Sequence, residues 1–106
     1  MSVVFHEATV ADIHNGFIFY EGKSEGLGFE FLRVFRAAMA LLSEYRLIHH
    51  AVFVDYRRIV LRRFPYVMYY RCEADQVTVL GVFHSSINPR SVRKSLKARR
   101  QKRFGR

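Results

Sequence analysis

The sequence predicts a small α+β domain in two layers, with an N-terminal strand and a helical hairpin packed on an antiparallel sheet. Between residues 9 and 45, apolar side chains recur at helical spacing in two runs separated by a glycine-rich turn. From 57 to 83 the chain is crowded with β-branched and aromatic residues in runs of strand length. At 106 residues, half of them hydrophobic and sixteen of them Phe or Tyr, there is material for one modest core and not for two.

The elements follow in order. Val3-Val4-Phe5 is a short apolar run, placed as a first strand beside the later sheet. Val10, Ile13, Phe17 and Tyr20 line one face of a first helix, from about Thr9 to Gly22, with Thr9 or Asp12 supplying the capping oxygen. Gly16 interrupts it and marks close approach to a second helix. That helix, 27–45, carries Phe31, Leu32, Phe35, Ala38, Met39 and Leu42 on one side and Glu30, Arg33, Arg36 and Glu44 on the other. Joined by a short turn, the two helices lie antiparallel and share an apolar face that the sheet covers. Residues 46–56 have apolar content without a clean period; His49 and His50 there read as a loop pair, since tetrahedral zinc needs four convergent donors. Strands are expected at 57–64, 66–72 and 77–83, split first by Pro65, which has no N–H to give to a ladder, and then by a polar break.

Charge is unevenly placed. Residues 1–89 hold nine Lys/Arg against nine Asp/Glu, and 90–106 hold nine Lys/Arg with no acid, so the whole net charge of +9 sits in the last seventeen residues. These are read as a basic tail, 91–106, that winds into a turn or two of helix around Val92 and Leu96 and is disordered beyond Lys97 until it meets an anionic partner. The single cysteine, Cys72, permits no internal disulfide and no multi-cysteine metal site. With no signal peptide and no apolar run of membrane-spanning length, a cytoplasmic protein without cofactor or metal is expected.

If the strands alternate, Arg58 and Arg62 share a face with Val60 and Phe64, and Arg57 and Arg63 project to the other with Ile59 and Leu61. The face opposite the helices then carries several guanidinium groups and a tyrosine from Tyr66, Tyr69 or Tyr70. Such a face receives RNA or an acidic partner strand, or is a solvated outer surface.

The run Leu61-Arg62-Arg63-Phe64-Pro65-Tyr66-x-x-Tyr69-Tyr70-Arg71, followed by Val79-Leu80-Gly81-Val82-x-His84, resembles the C-terminal sheet of the RelE/ParE family of bacterial type II toxin–antitoxin toxins. Upstream, Glu21 to Leu32 is similar to the family's helical entry, so the likeness covers roughly residues 2–90 and implies a toxin domain 1–90 followed by the tail. The resemblance implies growth inhibition, plasmid stabilisation by the pair, and neutralisation by a cognate antitoxin with an acidic C-terminal segment.

Two targets divide the family. Members that cleave mRNA on the ribosome use strand lysines, an arginine after a tyrosine and a late tyrosine; here stand Arg62 and Arg63, Val67 follows Tyr66, and no tyrosine follows Tyr70. A nuclease built on this chain would rely on Arg62, Arg63 and Arg71 for charge and on His84 for proton transfer. The ending Val82-Phe83-His84-Ser85-Ser86-Ile87-Asn88-x-Arg90 is instead similar to the ParE-type ending, whose bearers inhibit DNA gyrase. The resulting expectation is a ParE-like gyrase inhibitor, not a nuclease, contacting its target through His84, Asn88, Arg90, Arg93 and Lys94 and its antitoxin through Arg58, Arg62 and Arg71. The alternatives are a RelE-like mRNA endonuclease and a non-catalytic basic nucleic-acid-binding module.

Overall fold

Phe31, Phe35, Ala38 and Leu42 fall on one side of a helix, and the computed structural model, which describes residues 2–45, 51–53, 56–73 and 76–100, buries all four. The elements run β1 (Ser2–Phe5), α1 (Glu7–Lys23), α2 (Leu27–Tyr45), β2 (Ala51–Phe53), β3 (Tyr56–Val60), β4 (Tyr66–Glu73), β5 (Gln76–His84) and α3 (Pro89–Arg100). The sheet order is β1-β5-β4-β3-β2. Neighbours are antiparallel from β2 to β5, but β1 lies parallel to β5, pairing Val3 with Val77 and Phe5 with Val79, so the expected antiparallel sheet is mixed at one edge. Central β5 is buried through its whole interior because both of its faces are covered, which is why it reads as a continuous apolar run.

The hairpin of α1 and α2 packs on one face over Ile59, Leu61, Phe64, Met68, Tyr70, Val77, Val79 and Val82. Gly16 is where the helices meet: a Cβ there would lie 2.6 Å from the Phe31 ring, so only glycine lets that ring sit flat against α1. The face of α1 is rotated from the expected stripe. Thr9, Gly16 and Tyr20 are buried and Val10 is exposed, because the helix presents polar Thr9 and Asp12 to the edge of β5. For the same reason neither caps the helix. His6 does, its Nδ1 accepting from the Ala8 N–H at 3.0 Å. Glu21 closes the interhelical turn by accepting from the Gly26 and Gly28 N–H groups, each at 2.8 Å, at the positive end of α2.

β3 ends at Val60, short of the expected 64. Arg63 takes φ 69, and the Leu61 N–H donates to the Tyr66 carbonyl at 2.9 Å, closing a loop in which Leu61 and Phe64 both turn into the helix-side core. Phe64 therefore does not share a face with Arg58. On the second sheet face, Val92 and Leu96 of α3 pack onto Tyr56, Val67, Tyr69, Leu80 and Phe83. The two-layer core is thus completed by a helix over the other face, and the helix continues past Lys97 to Arg100 where disorder was expected. His49 and His50 lie outside the described residues. No described helix is long and apolar enough to cross a membrane.

Candidate functional site

α3 is set on the sheet by contacts at its start, middle and end. Asn88 begins it: its Oδ1 accepts from the Arg90 N–H at 2.7 Å, giving a partner to an otherwise unsatisfied first-turn donor, and its carbonyl accepts the first bond of the helix, from the Val92 N–H at 3.1 Å. In the middle, Val92 and Leu96 are 3% and 0% exposed, and the Tyr56 hydroxyl reaches the Leu96 carbonyl.

The end is held by an ion pair that crosses the sheet. β1 stops at Phe5, and among the described residues the outer edge of β5 has no strand partner beyond Val79. There the Asp12 carboxylate accepts from the Val82 N–H at 3.0 Å, and the Arg99 guanidinium donates to the Leu80 carbonyl at 2.9 Å and to Asp12 at 2.7 Å. Two side chains from helices on opposite faces thereby stand in for a strand. Arg99 passes over Gly81, where any Cβ would collide with its guanidinium, and lies 4.9 Å above the Phe83 ring. With α3 so fixed, Arg90, Arg93, Lys94 and Lys97 face outward and are exposed.

His84, at the end of β5, is half-buried; its ring meets Tyr66 edge-on at 5.2 Å, and its Nδ1 accepts from the Ser86 N–H at 3.1 Å and sits 2.8 Å from the Ser86 hydroxyl. Beside it a pocket of about 210 Å³ runs between Arg58, Tyr69 and the start of α3 at Pro89 and Val92. A second concavity, a groove of about 480 Å³, lies between α2 and β3: Arg33, Arg62 and Arg63 border it, and Val34, Ala38, Leu41, Ile59 and Val60 give it apolar walls. Glu30 on α2 pairs with Arg33 and, at 2.9 Å, with Arg63; the hydrogen bond from Arg33, then that from Arg63, holds its carboxyl below the usual range.

Among solved structures, a chain from the "Chromosomal ParDE TA system from P. aeruginosa" matches at TM-score 0.69, covering 79% of this chain and 95% of that chain at 15% sequence identity. The chain has the fold of that ParDE protein. No family model and no curated protein matches the sequence.

On this ParDE-type fold the predicted site residues separate into groups. His84, Asn88, Arg90, Arg93 and Lys94 are contiguous, running from the end of β5 onto the outer face of α3. Arg58, Arg62 and Arg71 do not form one cluster: Arg58 and Arg71 lie on the α3 side of the sheet, and Arg62 lies in the loop beside α2. The nuclease set fails to converge as well. Arg71 pairs with Thr78 and His84 with Tyr66, so the two are separated by five residues of β4, roughly 16 Å. Arg63 is turned to Glu30. Burial raises the Tyr66 phenol above its ordinary value, which makes it a poor base at neutral pH. The pairings of Asp12 with Arg99 and of Glu30 with Arg63 escaped the sequence reading, because contacts 87 and 33 residues apart leave no local signature. Gly81 was the available signal for the first pair: a glycine inside an otherwise bulky strand marks a close approach.

Proposed function

We propose that the chain is the toxin of a type II toxin–antitoxin pair, ParE-like, and acts by binding DNA gyrase. The observation that carries this reading is the fold shared with the P. aeruginosa ParDE chain, joined to the ParE-type ending His84 to Arg90, which here is one continuous surface with the outer face of α3. Arg90, Arg93 and Lys94 supply charge to that contact, and His84 and Asn88 set its start. Spacing weighs against mRNA cleavage: attack by a 2′-hydroxyl needs a base, an acid and a charge stabiliser around one phosphate, and Arg71 is roughly 16 Å from His84.

The antitoxin reading changes its address. An acidic, amphipathic antitoxin segment fits the groove between α2 and β3, where Arg33, Arg62 and Arg63 border apolar walls and Leu41 and Val60 are exposed. Among the described residues β2 pairs only with Tyr56 and Arg57, so Arg58 to Val60 offer strand edge for β-addition beside it. Of the three arginines expected at the antitoxin, Arg62 borders this groove, and Arg58 and Arg71 lie on the other side of the sheet.

Induced expression in a bacterial host tests the proposal. Growth should arrest with relaxation of plasmid topoisomers, and co-expression of the cognate antitoxin should restore both. Arrest with unchanged topoisomers and cut mRNA would assign the chain to the ribosome-dependent branch.

A further inference from the structure

The outer side of α3 has the chemistry of a surface for double-stranded DNA. Its inner side is committed, with Val92 and Leu96 in the core and Arg99 turned to Asp12. That fixes the rotation of the helix and places Arg90, Arg93, Lys94 and Lys97 at i, i+3, i+4 and i+7 on the exposed side. The stripe rises about 10 Å along the axis. No Asp or Glu follows Asp75 in the sequence, and Lys102, Arg103 and Arg106 add three more cations after residue 100.

We infer that this face binds duplex DNA through its phosphates, without regard to base sequence. Beside the cations, the exposed residues described in α3 are Pro89, Ser91 and Ala98, so charge outweighs apolar surface on this face. Single-stranded nucleic acid is held on stacking platforms, and none of the exposed residues described in α3 is aromatic. Duplex RNA has a major groove too narrow for a helix, whereas that of B-form DNA admits one between its phosphate rails. The inference goes beyond the toxin reading and does not rest on it, although Arg90, Arg93 and Lys94 belong to both surfaces.

The test is fluorescence anisotropy of a labelled duplex about 20 bp long, of arbitrary sequence, titrated with the intact chain at several salt concentrations. Four phosphate contacts predict that log K falls against log salt with a slope of about −3.6, equal for unrelated sequences. The variant Arg90→Gln/Arg93→Gln/Lys94→Gln/Lys97→Gln, with its fold checked by circular dichroism, should bind on the order of tenfold or more weakly with a flatter slope. The control Lys102→Gln/Arg103→Gln/Arg106→Gln should keep most of both. Three outcomes would overturn the inference: no binding by the intact chain; binding lost in the control but kept in the helix variant; or tighter binding to single-stranded DNA or to RNA of equal length. Loss of gyrase binding in the helix variant, with no DNA binding by the intact chain, would assign the stripe to a protein partner instead.

Discussion

Asp12 and Arg99 hold three elements at one point, and their side chains are only 16% and 17% exposed. Removing either leaves the other charge in a low-dielectric setting and strips a partner from Val82 or Leu80, so Asp12→Ala and Arg99→Ala should each cost about 2–4 kcal/mol. The double variant should cost less than the sum, by on the order of 1–3 kcal/mol, measured by urea unfolding; additive losses would mean that the pair does not act as a unit. Tyr70 gives a second test at this scale. It is fully buried, and desolvation, reinforced by Cys72 and opposed by Arg57, pushes its phenol up to about 12 from an ordinary 10.0. Below pH 10 both states keep the proton. Above it the unfolded chain ionises first, so stability falls as pH rises from about 10 to 12, by up to about 1.4 kcal/mol per pH unit for this one group. Tyr70→Phe should flatten that fall in denaturant titrations at pH 9 to 11.5, and an unchanged slope would show that the loss comes from other groups.

Each element is held by the face it buries, and how far that face could be read from the sequence depended on its period. α2 was largely legible: of the six apolar residues read on one side, Phe31, Phe35, Ala38 and Leu42 are buried, and Leu32 and Met39 are partly buried against the same core. Phe35→Ala and Leu42→Ala should therefore each cost about 2–5 kcal/mol in thermal unfolding, whereas a loss below about 1 kcal/mol would place them outside the core. α1 was legible as a helix but not in its orientation, because its inward face includes Thr9, Asp12 and Gly16, which hydropathy counts as outward. Their tasks are hydrogen bonds to the β5 edge and close approach to Phe31, neither of which is an apolar signal. β3 was drawn too long, because Leu61 and Phe64 are as apolar in a loop as in a strand and nothing local announced the positive φ of Arg63. The ending was read as a basic tail with a turn or two of helix around Val92 and Leu96, and its charge gave no sign that this helix packs on the sheet. Two apolar residues four apart, Val92 and Leu96, are enough to seat α3 when Asn88 starts it and Arg99 fastens its end.

For the whole molecule, charge and fold come apart. Residues 1–89 are balanced and build the helix-side core with its sheet, while Arg90, Arg93, Lys94 and Lys97 of the excess are displayed on a helix locked to the other face. The contact expected to reach gyrase is therefore a rigid surface, and shortening the chain after Pro89 would uncover Tyr69, Leu80 and Phe83 as well as remove the charges. A surface variant is the cleaner probe. The candidate site was legible where it is contiguous in sequence, from His84 to Lys94, and illegible where it depends on topology, as with Arg58, Arg62 and Arg71, which alternation alone could not distribute between the two faces. The most direct measurement is DNA supercoiling by purified gyrase with the intact chain, run beside programmed ribosomes at the same protein concentration. The account predicts that supercoiling stops and the ribosome-bound mRNA stays whole, with inhibition weakened at least about tenfold in Arg90→Gln/Arg93→Gln/Lys94→Gln if three charge contacts are lost at about 0.5–1 kcal/mol each. Cleaved mRNA with gyrase unaffected would contradict it.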